Sequence, residues 1–329
     1  MFACRAFQPV QRWVSYNGTV TDSLFSAVYE ERRASVAKGL PLVVALSGSS
    51  DAGNAVSQLE QYLWERCKPQ ELIRFDADQL LDYRARRPLI TFNEDHFTDY
   101  SPEELILSLA CDELGAPFLL LSGFEPDFRW EAFVDTVLLL VHEFEVSITT
   151  WVQAVPMPVP HTRPIVGTVS GSRDDLLERS VWKPTTRLPA SVVHLLEYRL
   201  HGVGEEVVGF AHLVPHYLAN NEYPELLTAS LDNIMAATGL LFATDEARER
   251  AQEFRAQVDR QIAENEDSKE MLINLERRFD QYVEAQGERV SLLGEDGTMP
   301  TADQLASELE RFLAERQEGP EPNDGPAVQ

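Results

Sequence analysis

Only three cysteines occur in 329 residues, Cys4, Cys67 and Cys111, and none stands in a CxxC spacing. That excludes a disulfide framework and a thiolate metal cluster, and it agrees with reduced thiols in a cytoplasm. Basic residues are scarce: 28 Lys and Arg face 54 Asp and Glu, a net charge of −26. A surface this negative repels phosphate backbones and anionic lipid, so neither nucleic acid nor membrane is an expected partner. It keeps a protein soluble, and it would suit a protein partner with a basic patch. No stretch reaches the ~20 apolar residues of a membrane span. The N-terminal MFACRAFQPVQRW lacks a long apolar core, so no secretory signal is expected there. There is also no Walker loop, no GxGxxG and no basic aromatic patch.

What the chain does have is an apolar run that stops abruptly. Residues 42–54 read LVVALSGSSDAGN, a buried strand turning tightly into an amphipathic helix in which Val56, Leu59 and Leu63 share one face. Open α/β proteins keep their binding sites at such turns. Strands are expected at 71–75, 118–121, 146–155, 165–169 and 206–213, with a proline-dense loop at 156–160. Helices are expected at 130–143, 189–200 and 224–237. Ser101-Pro102-Glu103-Glu104 has the form of a helix start, so a helix is also expected through 105–114. Strand and helix in alternation predict an α/β fold with a mostly parallel sheet covered on both faces.

Composition changes after Phe242. From 245 to 329 there are 22 acids against 10 bases, a net of −12. Phe254, Val258 and Ile262, then Leu272, Leu275, Phe279 and Val283, repeat at helical spacing. Thr301-Ala302-Asp303-Gln304 reads as a capping box ahead of one more helix. The expected organisation is an α/β domain over 1–243, an acidic helical extension over 244–317, and a disordered tail over 318–329.

The turn Gly48-Ser49-Ser50-Asp51-Ala52-Gly53-Asn54 admits three readings. One is a nucleophile elbow with Ser50 as nucleophile, served by Asp127 and by His212 or His216, though Ala52 stands where a second glycine belongs. Another is an anion nest at a helix N-terminus, which the charge of Asp51 opposes. The third, which the residues favour, is a tight turn in which glycine permits positive φ and Asp51 or Ser50 caps the helix. His161 and Arg163, two apart on extended chain, can contact an anion or pair with nearby acids. His212 and His216 have the spacing of a helical metal pair, but Pro215 argues for extended chain, so no metal and no cofactor are expected.

Five segments in order carry a resemblance. They are Gly48-x-x-Asp51-Ala52-Gly53, Asp82-Tyr83-Arg84 with Arg87-Pro88, the run Leu121-Ser122-Gly123-Phe124-Glu125-Pro126-Asp127-Phe128-Arg129-Trp130, Pro160-His161-Thr162-Arg163-Pro164, and Val214-Pro215-His216-Tyr217. Over about residues 40–240 the chain resembles the proteasome assembly chaperone 2-like family, departing from it at Ser49, where that family usually has Trp. The resemblance implies a three-layer α/β/α domain like the phosphorylase/hydrolase folds with a helical appendage at its C-terminus. It also implies self-association into small rings or trimers, a cytoplasmic role, and a partner that is itself a protein, such as a proteasome subunit.

Two readings of function follow. The first is a non-enzymatic interaction or assembly factor. The second is a small-molecule enzyme whose pocket gathers Gly48, Ser50, Asp51, Gly53, Asn54, Arg129, His161, Arg163 and His216 at the carboxyl ends of the strands. Convergence of three or more of those side chains in one deep pocket would favour the second.

Overall fold

A computed structural model describes residues 24–27, 33–48, 51–183 and 185–284. The expected helix after Thr301, the tail 318–329, and Ser49 and Ser50 lie outside the described residues. The chain divides into two compact units, residues 1–182 with 190–281, and residues 183–189 with 282–329. The sheet and the helices that cover it belong to the first.

Ten strands are described: β1 Phe25–Ala27, β2 Leu42–Ser47, β3 Gln70–Phe75, β4 Leu89–Asn93, β5 His96–Ser101, β6 Leu105–Cys111, β7 Pro117–Phe124, β8 Thr149–Met157, β9 Gly167–Gly171 and β10 Val207–Pro215. The helices are α1 Ala55–Cys67, α2 Ala77–Leu80, α3 Trp130–Glu143, α4 Asp174–Leu177, α5 Val192–Val203, α6 Glu225–Thr238, α7 Asp245–Ala263 and α8 Glu266–Glu284. Eight strands form one sheet in the order β1-β3-β6-β7-β2-β8-β10-β9, and β4 and β5 form a separate hairpin.

The sheet has two buried faces, so its central strands need apolar side chains at every position rather than at alternate ones. In β2, Leu42, Val44 and Leu46 pack with α3 and α5. Val43 and Ala45 pack on the opposite face with α1 and α6. This is the three-layer α/β/α arrangement. Burying one such Leu or Val fully is worth roughly 1.5–3 kcal/mol.

Two expectations need correction. The sheet is mixed rather than mostly parallel: β7, β2, β8 and β10 run parallel, while β1, β3, β6 and β9 join as antiparallel flanks. The segment 105–114 is not a helix. Leu105–Cys111 is the strand β6, paired on both sides with β3 and β7. Its run LILSLAC suits a doubly buried strand as well as a helix, and the two flanking strands decide it. Ser101, read as the helix cap, is the last residue of β5.

The turn after β2 is set by backbone geometry. Gly53 has φ +67°, the left-handed region, and a Cβ there would lie 2.5 Å from Leu226 Cδ1. Its amide donates to the Ala219 carbonyl at 2.7 Å, and its own carbonyl accepts from the Tyr223 amide at 3.0 Å. A side chain at this position therefore meets both strain and a clash. Gly53→Val is expected to destabilise the protein by about 1–3 kcal/mol. Urea denaturation would show it as a lowered midpoint, and an unchanged midpoint would contradict this account of the turn.

Candidate functional site

The sequence motifs resolve into three groups, each held by its own partners. The first is the turn itself. Asp51 Oδ1 accepts from the Val56 amide at 2.7 Å, and Oδ2 accepts from the Ser57 amide at 3.1 Å and the Ser57 hydroxyl at 2.6 Å. Asp51 is thus the cap of α1, as the turn reading expected, and its charge suits that helix end. Asn54 follows in the left-handed region at φ 54°. Gly48 is required by a neighbour, because a Cβ there would lie 1.9 Å from Glu125 Oε2. Glu125 is buried, and its Oε1 accepts from the Val192 amide at 2.7 Å, the first residue of α5. The cavity left between Gly48, Glu125, Gln153 and Ser191 is about 10 Å³, room for one water.

The second group joins two motifs that lie about forty residues apart in sequence. Asp127 accepts from the Asp82 amide at 2.7 Å and from Arg86 Nη2 at 2.5 Å. Arg86 also donates to the Glu125 carbonyl at 2.6 Å and lies over the Phe124 ring. Arg129 donates to the Gln79 side chain. Asp127 is therefore tied to arginine and backbone, and neither His212 nor His216 is among its partners.

The third group surrounds the loop Pro160-His161-Thr162-Arg163. The buried His161 ring contacts Tyr217 Oη through Nδ1 at 2.7 Å and Asp259 Oδ1 through Nε2 at 3.0 Å. The Tyr217 hydroxyl also accepts from the His161 amide at 2.9 Å. One consistent assignment has Tyr217 donating to Nδ1 and Nε2–H donating to Asp259. Burial pushes the Tyr217 hydroxyl up to about 12. Arg163 grips Asp280 with two donors, Nε at 2.8 Å and Nη2 at 2.6 Å, and reaches Glu276 at 3.2 Å. That guanidinium holds the Asp280 carboxyl below its ordinary value. Thr162 donates to Glu276, and Arg255 donates to the His161 carbonyl at 2.9 Å. His216 is exposed and lies edge-on to Tyr217.

Among the described residues the enzyme-type pocket does not assemble. His161 and His216 each contact Tyr217, Arg163 turns to Glu276 and Asp280 of α8, and Arg129 and Asp127 belong to the separate cluster at Asp82–Arg86. Among the described residues no group of three or more His, Cys, Asp or Glu is placed to hold a metal. A cavity of about 260 Å³ lies beside β9, β10 and α6, lined by Phe210, Val169, Arg179, His212 and Asn233 among others. The expectations included only His212 of these.

Sequence reasoning also missed the hairpin. Leu89, Ile90, Phe92, Phe97 and Tyr100 are all exposed, Leu89 by 78% and Phe97 by 65%. Phe92 and Phe97 pair across the strands with centroids 5.2 Å apart. The segment ITFNEDHFTDY carried the signal, β-branched and aromatic residues on either side of a polar turn.

With this geometry in hand, comparison with known proteins is decisive on kinship. The PAC2 family profile matches residues 45–262. The chain belongs to the PAC2 family. A protein of unknown function from Mycobacterium tuberculosis, Rv2714, is 35% identical, with a TM-score of 0.75 over 84% of this chain and 95% of its own. One from Corynebacterium glutamicum, also of unknown function, is 32% identical, with a TM-score of 0.75 over 80% of this chain and 100% of its own. A M. tuberculosis proteasome-assembly chaperone homologue, Rv2125, shares the fold at 21% identity, with a TM-score of 0.65 over 71% of this chain and 100% of its own. The search of curated proteins returned no match. No helix among the described residues is long and apolar enough to cross a membrane.

One buried group of this PAC2 protein gives a pH signature. His212 is held neutral, its ring 3.2 Å from Ser230 Oγ, and burial lowers its pKa to about 4. The unfolded chain takes up this proton near pH 6.5, so stability is full above that value and is lost as pH falls toward 4. The loss approaches roughly 3 kcal/mol. Glu60 acts with the opposite sign, since burial, then Glu103 and Asp51, raise it to about 7. The readout is therefore the difference between wild type and His212→Gln in denaturant midpoint from pH 7 to 4.5. That difference should shrink as pH falls, and a constant one would refute the assignment.

Proposed function

We propose that this PAC2 protein is a non-enzymatic, cytoplasmic assembly factor that acts by protein–protein contact, on copies of itself and on a protein partner such as a proteasome subunit. The observation that carries the reading is the exposed hairpin. Its five large side chains present on the order of 600 Å² of apolar surface, scaling a typical ~200 Å² each by exposure. Leu89 and Ile90, adjacent on β4, point to opposite faces, so this total divides between two faces, and the face with Phe92 and Phe97 lies within the range of about 300–600 Å² for the largest patch on a monomer. A second copy fits its charges. Glu94 and Asp95 lie at the tip and Arg87 before its base, so two hairpins in opposite directions set acid against base. The kinship with a proteasome-assembly chaperone homologue supports the wider role by analogy of fold.

The hairpin predicts a measurable assembly state. Light scattering at micromolar concentration should give a mass of several subunits, with a trimer as the expected form. Phe92→Asp with Phe97→Asp should reduce it to a monomer with unchanged circular dichroism. A monomeric wild type would defeat the self-association.

The alternative, a small-molecule enzyme, meets a crevice at the strand ends with room for about one water. Asp51, committed to capping α1, would oppose an oxyanion at that helix end. The expected result with activated esters and a serine-reactive fluorophosphonate is no labelling that depends on Ser50. Stoichiometric labelling that disappears in Ser50→Ala would instead put the hydrolase first.

A further inference from the structure

Helix α8 lies beyond the stretch that the family profile matches, which ends at residue 262. Yet its side chains occupy one of the motif loops. We propose that the Thr162–Arg163 corner is a docking site for an acidic amphipathic helix of a partner protein, and that α8 is a displaceable latch filling it in cis.

The site is defined by what α8 brings to it. Leu275 and Phe279 are buried one turn apart, and the carboxylates Glu276 and Asp280 directly follow them. Asp280 takes the two-pronged grip of Arg163, while Glu276 takes Thr162 and the remaining Arg163 donor. Any helix with acids four residues apart, each following an apolar residue, presents the same pattern. The planar fork of Arg163 suits a carboxylate, which accepts two parallel charge-assisted bonds, and repels a cation. If α8 leaves, Arg163 loses both carboxylates, whereas His161 keeps Asp259 on α7 and Tyr217 on the body. The loop would keep its contacts with α7 and the body and present an open cation.

The latch is lightly held. Two of the 19 residues of α8 are buried, against seven of 14 in α6. Elements with so little buried surface open at low free-energy cost while the core stays folded. The hinge is also present. Only Glu264 and Asn265 separate α7 from α8, and the Asn265 side chain accepts from the Ser268 amide to start the second helix afresh.

This inference does not depend on the hairpin, and its test separates the two. In the full chain, Leu275→Asp with Phe279→Asp would free α8, and a fluorescein-labelled peptide of residues 264–284 in the native sequence is the probe. The peptide should bind the substituted chain, and bind wild type about tenfold or more weakly because the tethered α8 competes at high effective concentration. Adding Arg163→Glu to the substituted chain should abolish binding, and adding Phe92→Asp with Phe97→Asp should not. Hydrogen exchange on wild type should show α8 amides opening faster than those of α3. No binding to a natively folded substituted chain would overturn the proposal, as would binding indifferent to Arg163→Glu. If the substituted chain does not fold, exchange in α8 as slow as in α3 overturns it alone, and faster exchange supports it.

Discussion

The fold depends on the parallel pairing of β2 with a neighbour on each side. Residues 42–45 are at most 2% exposed, since both faces of the strand are covered and both edges are bonded. β2 stays paired with β7 to its end but leaves β8 after Val44, and the chain touches β8 again at Asp51 opposite Ala154. The strands part there, and in this class of sheet that parting is where a crevice forms. Here the crevice is closed from within. Glu125 enters over Gly48, its amide bonded to Ser47, its carboxylate on the first amide of α5. A carboxylate at a helix N-terminus is well placed electrostatically, and its side chain takes the volume that a ligand would need.

The same logic runs through the other polar motifs. Asp127 and Arg86 bind two loops to each other, and Asp51 completes a helix end. Such groups need their partners for structural reasons, because a buried or half-buried charge left without its partner costs more than the pair contributes. They look like chemistry in a sequence because the same residue types do both jobs.

This explains what the sequence revealed and what it hid. β2, β7, α3 and α6 were legible, since their apolar spacing follows from burial on two faces or on one. The cap at Asp51 was legible too, being local. β6 was not, because LILSLAC is buried on both faces and periodicity then carries no information; only its pairing with β3 and β7 distinguishes strand from helix. The partners of His161 and Arg163 were out of reach for another reason. Asp259, Glu276 and Asp280 lie about a hundred residues further on, among many equivalent acids, and nothing local marks which of them fold back.

The charge of the two C-terminal helices is therefore not simply a solvated face. Their acids meet the arginine of the motif loop, while Arg248 and Arg250 of α7 reach back to Asp232 and Glu222 of the body. Individually such exposed pairs contribute about 0–1 kcal/mol. The buried Val258, Leu275 and Phe279 supply more of the attraction through their removal from water. What the charges add is register. A helix shifted along its axis or turned about it would carry Asp280 off the fork of Arg163. Apolar stripes hold the helices down, and the crossed pattern of acids and arginines fixes where they sit.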